Sequence, residues 1–448
     1  MPLIDRFQTF FFYLGFFALS LMTFLSLITD KVGSRAGKVM AVLGFFLLLR
    51  YWRVLLKSPL VWLLGLAILS QLLSWGGSQF SHPDWAEDSP KIGRMSVWFL
   101  IIPVAFFLQG DLRKIGFVLS LAVLSILISP WVTGNGWQEI IQGINGRRVD
   151  FGLNNAQHTA MLFGVALICF GFLTLRQLYK EKISWIKFCF WGCLTTVAVA
   201  GVVITQTRAV WLALAVVMVI LLIWYVWELI VKEHNYLKAC LIAGIVCFLA
   251  FIGYQSPLTH TVEKRLSAEL SNIEKILQGK DDYIANSSTG IRFTTWTESI
   301  SWIQEKPLIG WGGNGRDLVV KHSDRLMENN KKIFRHLHNS YLDTLVNYGL
   351  LGFSCLIGFF VFLGYGIRKA YKQERIEYGA AVVSSLLLVF WAIVNCFESY
   401  MYYSSGSFVI TLIGGVVLSV YWKAINFFGN SETGKALVSS TSGLPRES

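Results

Sequence analysis

Long apolar runs separated by short polar breaks dominate this chain. We read runs near residues 8–29, 38–56, 59–75, 95–109, 114–132, 157–175, 185–204, 209–227, 238–255, 341–367, 378–397 and 403–422. Most approach the ~20 residues an α-helix needs to cross the hydrocarbon of a bilayer. Two runs are irregular. Arg50 and Arg53 interrupt the second, and the fourth is short, with Pro103 inside it. One polar stretch, 256–337, breaks the series. Its first half puts Val262, Leu266, Leu270, Ile273 and Leu277 on one helical stripe. A second helix is expected after Ser287-Ser288-Thr289, through Phe293, Trp296, Ile300 and Ile303, ending before Pro307. The Ser-, Thr- and Gly-rich residues after Trp422 suit a disordered tail. The pattern predicts an all-α polytopic membrane protein. Residues 1–255 would hold nine transmembrane helices and 256–338 a helical outer loop. Residues 339–422 would hold three more transmembrane helices, and 423–448 a tail.

Composition agrees. Charged residues are only 15% of the chain, below the roughly 25% of a soluble domain. The net charge of +12 needs no nucleic acid, because Lys and Arg collect in short loops. With the N-terminus inside, the inner loops hold Arg50, Arg53, Lys57, Arg113, Lys114, Arg176, Lys180, Lys182, Lys187, Lys232, Lys238, Arg368, Lys369, Lys372 and Arg375. The outer loops hold the smaller set Lys31, Arg35, Lys38, Lys91, Arg94, Arg147, Arg148 and Arg208. This bias predicts cytoplasmic termini and an outward-facing 256–338 loop. The first apolar run is too long for a cleavable signal peptide and lacks a small-residue cleavage site. All seven cysteines fall in apolar runs, so neither a structural disulfide nor a zinc site is expected.

Candidate chemistry sits on the outer side. His338 stands where the polar loop becomes a helix whose apolar positions are Leu342, Leu345, Val346, Leu350 and Leu351. Such a histidine can simply cap the helix. Near a helix N-terminus the dipole also disfavours imidazolium, which suits a neutral general base. His336 competes for the role. By position alone, Arg208 fits either snorkelling to the interface or facing a cavity. Arg292, beside Trp296 on the expected loop helix, reads by position as a solvated charge. Arg147, Arg148 and His158 are candidates to line the same outer cavity. The glycine-rich GWGGNG at 310–315 lacks strand–turn–helix context and reads as a flexible turn or hinge. Asp84, Glu87 and Asp88 read as a solvated acidic loop, the alternative being a divalent-metal site.

The segment RHLHNSYLDTLVNYGLLG at 335–352 resembles the signature of the bacterial O-antigen ligase and polymerase superfamily, His-Asn-x-x-Leu running into Gly-Leu-Leu-Gly. Arg208 in an Arg-x-x-Trp-Leu setting is similar to the ligase pattern. So is Arg292 in an Arg-x-x-x-Trp helix ending in Lys-Pro-Leu-x-Gly-Trp-Gly. Asn155 stands where the family's Asn-Pro-Asn segment has proline. The resemblance implies a GT-C-like glycosyltransferase of the bacterial inner membrane with a periplasmic active site. It implies transfer of a glycan from undecaprenyl diphosphate to lipid A–core, with inversion and with no metal or cofactor. Arg208 and Arg292 would bind the diphosphate and His338 would act as base. The alternatives are an O-antigen polymerase, a protein O-oligosaccharyltransferase and, from a different class, a polyprenyl-linked sugar flippase.

Overall fold

The computed structural model describes residues 3–178, 183–227 and 288–429, with isolated positions between 230 and 274. Every element among them is helical. The first group comprises α1 (Leu3–Leu25), α2 (Asp30–Leu48), α3 (Trp52–Leu55), α4 (Pro59–Ser81), α5 (Gly93–Ser96) and α6 (Ile101–Leu108). Next come α7 (Leu112–Val132), α8 (Trp137–Ile144), α9 (Ala156–Leu178), α10 (Trp185–Ile204) and α11 (Arg208–Trp227). The long polar segment before residue 340 holds α12 (Ser288–Glu305), α13 (Gly315–Lys321) and α14 (Glu328–Ile333). The last group is α15 (Ser340–Lys372), α16 (Tyr378–Val394) and α17 (Ser404–Ala424).

Among the described residues nine helices are long and apolar enough to cross a membrane, and two shorter apolar helices occupy 93–108 and 378–394. These eleven coincide with eleven of the twelve expected runs. The twelfth run, 238–255, lies outside the described residues, as do the stripe from Val262 to Leu277 as a whole and the tail from residue 430 on. The chain is an all-α polytopic membrane protein. Its outer surface has the composition lipid requires: Ile186, Phe190, Val197, Leu212, Met218, Val219 and Ile223 on α10 and α11 are exposed. Helix α17 is mostly buried, packed against α6 and α15. The cysteines at 169, 189, 193, 355 and 396 are free.

Helix α15 is broken near its N-terminal third. Gly349 adopts φ 59°, ψ −161°, a conformation open essentially to glycine alone. The break releases two carbonyls and two amides from the helical ladder. At membrane depth each would be costly without a partner. Residues 307–312 satisfy all four. The amides of Trp311 and Gly312 donate to the carbonyls of Val346 and Asn347 at 2.9 Å each. Leu350 and Leu351 in turn donate to the carbonyls of Pro307 (2.8 Å) and Leu308 (3.1 Å). Ser74 and Ser78 of α4 brace the joint through Asn347 and Trp311 carbonyls. The glycine-rich 310–315 stretch is thus no loose hinge. Gly310, at φ 67°, passes so close to Asn347 that a Cβ would collide with its backbone.

The segment of α12–α14 is pinned by a second small core of Ile291, Trp311, Val319, Val320, Leu326, Leu337 and Val346. The α12 stripe divides. Trp296 and Ile303 pack on this core, whereas Phe293 and Ile300 are exposed. The buried face of α12 is instead Ile291, Thr294, Thr295 and Ser299. Small residues there allow close approach to α15, with which α12 makes contact.

Candidate functional site

The residues around 335–343 form one device. Asn339 caps α15, its Oδ1 accepting the amides of Tyr341 and Leu342. Ser340 Oγ donates to Asn395 Oδ1 at 2.6 Å, and Tyr341 Oη donates to the Ala392 carbonyl at 2.9 Å. Both tie the helix start to the C-terminal end of α16. Asp343, fully buried, accepts the Leu337 amide at 3.0 Å and the Arg316 guanidinium at 3.0 Å. Trp296, one turn after Arg292 on α12, donates its indole N–H to the Leu337 carbonyl at 2.7 Å. These bonds hold His338 at φ 52°, a left-handed conformation uncommon for a residue with a side chain. Strain of this kind persists only where surroundings over-determine it.

The His338 ring faces Glu398, which the sequence reading missed. Glu398 is wholly buried in the short link between α16 and α17. His338 Nδ1 lies 3.2 Å from its Oε2. Burial alone would raise the Glu398 carboxyl, but the His338 hydrogen bond and the neighbouring histidines outweigh it and hold it below the usual carboxylate range. An ionised carboxylate only accepts, so His338 Nδ1 donates, and the neutral form of the ring would carry its lone pair on Nε2. His336 is arranged the other way. Its Nδ1 accepts the His338 amide at 3.2 Å and lies 3.4 Å from Ser399 Oγ. Burial, helped by the nearby His338, pushes the His336 ring down to about 4, so it is neutral at pH 7. With Nδ1 accepting, its proton sits on Nε2, and its 3.6 Å approach to Glu398 is not an ion pair.

His338 borders a cavity of about 250 Å³. Arg208, Arg292 and Arg148 line it, with Asn155, Gln157, Gln206, Thr207 and Phe334. The structure therefore brings His338 together with both predicted arginines and Arg148. Three helices open onto the cavity at their N-termini: α9 through Asn155 and Gln157, α11 through Arg208, and α12 through Ser288 and Arg292. Helix N-termini present amide N–H groups and positive dipole ends, which suits an anion. Burial lowers the Arg292 guanidinium from its ordinary value, opposed by Glu398 and Tyr400. Its Nε is buried with no hydrogen-bond partner among the described residues. A buried donor left in this way costs free energy that a bound anion would recover.

The remaining candidates divide. Arg147 is exposed and does not line the cavity. His158 lies behind it, fully buried, its Nδ1 2.5 Å from Ser405 Oγ and its ring against Tyr400 and Tyr403. Asp84 and Asp88 are exposed, while Glu87 is spent on Arg94 through two bonds of 2.6 and 3.0 Å. His336, His338 and Glu398 form the one group among the described residues with geometry for a metal, their ligand atoms within 4.8 Å of one another. Both Nδ1 atoms there are already engaged, one donating and one accepting.

What signal pointed to Glu398 was a lone acid between two apolar runs, where an ionisable group usually has a role. Asp343 and Arg316 had none beyond helical position.

Residues 193–357 match the family model described as O-antigen ligase. That range includes Arg208, Arg292, His336 and His338, and stops short of Glu398. The chain is also similar to an uncharacterized protein of Haemophilus influenzae, 29% identical over 191 residues. That likeness covers 41% of this chain and 44% of the relative, so the chain spans less than half of that protein's length. The likeness read from the sequence is therefore shown: over residues 193–357 this chain matches the O-antigen ligase family.

Proposed function

We propose that this protein transfers a glycan from undecaprenyl diphosphate to lipid A–core on the periplasmic face of the bacterial inner membrane. The observation that carries the reading is the His338–Glu398 pair facing a cavity lined by Arg148, Arg208 and Arg292. The arginines and the three helix N-termini hold the donor diphosphate. Charge grows on that diphosphate as its bond to the anomeric carbon breaks, so these contacts strengthen in the transition state. The acceptor hydroxyl oxygen attacks the anomeric carbon from the opposite face, inverting it. His338 Nε2 takes the hydroxyl proton, and Glu398 stabilises the imidazolium that forms. Polyprenyl diphosphate leaves as an anion and needs no proton. The positive charge the reaction requires is supplied by this chain's own groups, so transfer is metal-independent.

The test is the glycolipid profile of a deletion strain. Long lipid-linked glycan beside unmodified lipid A–core supports a ligase. Accumulated single repeat units indicate a polymerase instead, and unchanged lipopolysaccharide rules out both.

A further inference from the structure

A second cavity, about 590 Å³, opens on the other side of the histidines. Lys91, Arg94 and Arg316 line it, with Tyr402, Tyr403, Ser404 and Ser407. It shares no lining residue with the cavity of Arg208 and Arg292. What stands between them is the histidine pair. The His336 ring lies 4.1 Å from that of His338, which borders the first cavity, and 5.4 Å from that of Tyr403, which borders the second.

The lining of this second cavity carries three cations and no carboxylate. Glu87 and Asp343 sit behind it. Glu87 holds Arg94 and, at 3.3 Å, Lys91; Asp343 holds Arg316 by Nη1. Two carboxylates against three cations leave one positive charge in excess. Arg316 is fixed over the Tyr402 ring at 4.8 Å, and its other guanidinium N–H groups are left for the cavity. Ser404 and Ser407 add the first turn of α17, whose dipole is positive at that end. Gly313 leaves room for the Arg94 guanidinium, with which a Cβ there would collide. The cavity falls within the size range of small-ligand sites.

We propose that this second cavity binds a phosphate-bearing sugar of the acceptor glycolipid, so that donor and acceptor reach His338 from opposite sides. The inference rests on the glycosyl-transfer reading above. Lys91, whose side chain is 52% exposed, sits at the accessible end and sets the charge preference without bearing on the base. Guanidinium groups of Arg94 and Arg316 supply the fixed donors.

The experiment uses the full chain in nanodiscs and measures binding separately from turnover. Native lipid A–core and the same glycolipid after phosphatase treatment are titrated onto His338→Ala protein, which does not consume them. The charged form is expected to bind about tenfold more tightly, a difference typical of one charge-assisted contact. Lys91→Glu should abolish that preference while leaving affinity for the polyprenyl diphosphate donor within about twofold. Lys91→Gln removes the charge without reversing it and should give an intermediate loss, which keeps the test valid if the reversal disturbs insertion. Equal binding of the two glycolipids, or a preference that survives Lys91→Glu, overturns the proposal. Competition by phosphatidylglycerol vesicles or inorganic phosphate as strong as that of native lipid A–core overturns it too, because the site is then a general anion site. Failure of the wild-type protein to transfer glycan sinks the transferase reading and leaves the binding result standing on its own. Transfer without a charge preference sinks only the second cavity.

Discussion

Glu398→Gln is the most informative single change. The side chain keeps its size but has one oxygen where the carboxylate uses two, Oε1 accepting the Ser399 amide at 2.9 Å and Oε2 accepting His338 Nδ1. What is lost is the negative charge 3.2 Å from His338 Nδ1, in a site with no exposure. At an effective dielectric of about 20, that separation corresponds to about 5 kcal/mol between unit charges. The full amount is not lost, because the glutamine oxygen can turn to accept His338 Nδ1–H at the expense of the Ser399 amide, and the site relaxes. A remaining deficit of about 2–3 kcal/mol in stabilising the imidazolium lowers kcat by roughly 30- to 150-fold. KM for the donor should hold, since the arginines are untouched. The assay is glycan transfer by purified protein at saturating donor, with a melting curve to show that the variant folds. A fully active, fully folded Glu398→Gln enzyme would refute the dyad, and so would a defect confined to donor KM.

Arg292→Ala should raise donor KM by about tenfold or more, as expected for removing a charge-assisted contact, with a smaller effect on acceptor KM, read from steady-state kinetics. Gly349→Ala should destabilise the protein by about 3 kcal/mol or more, seen as a lowered Tm in detergent, because the backbone conformation excludes a side chain and a Cβ would strike the Leu308 carbonyl. His336, held near 4 in the fold against 6.5 unfolded, binds its proton more readily when unfolded, so stability should fall as pH drops from about 6.5 toward 4, by up to about 3 kcal/mol. His336→Asn should flatten that part of the Tm–pH profile.

The membrane helices were legible because their signal is local: some twenty apolar residues in a row mean the same thing in any context. The loop helix starting at Ser288 was equally legible, yet its buried face was not. Phe293 and Ile300 look like core residues, but the helix buries Thr294, Thr295 and Ser299 where a neighbouring helix comes close. The 310–315 glycines read as a hinge because their partners, at 346–351, are distant in sequence and become available only once Gly349 breaks α15. Glu398 escaped for a similar reason. Its place as a lone acid between two apolar runs says nothing of its partner, a histidine 60 residues away. Arg147 and Arg148 are indistinguishable as a sequence pair and both are exposed, and only the turn they occupy puts Arg148 on the cavity.

The central claim is that His338 deprotonates the acceptor while this chain's own cations hold the donor. The direct measurement is transfer from a polyprenyl diphosphate donor to lipid A–core by purified wild-type and His338→Ala protein, each with and without EDTA. The account predicts wild-type activity unchanged by the chelator and no transfer by His338→Ala, with a melting curve showing that the variant is folded, at a Tm lowered by the loss of Glu398's partner. Transfer by His338→Ala, or wild-type activity lost to EDTA and restored by magnesium or manganese, would contradict it.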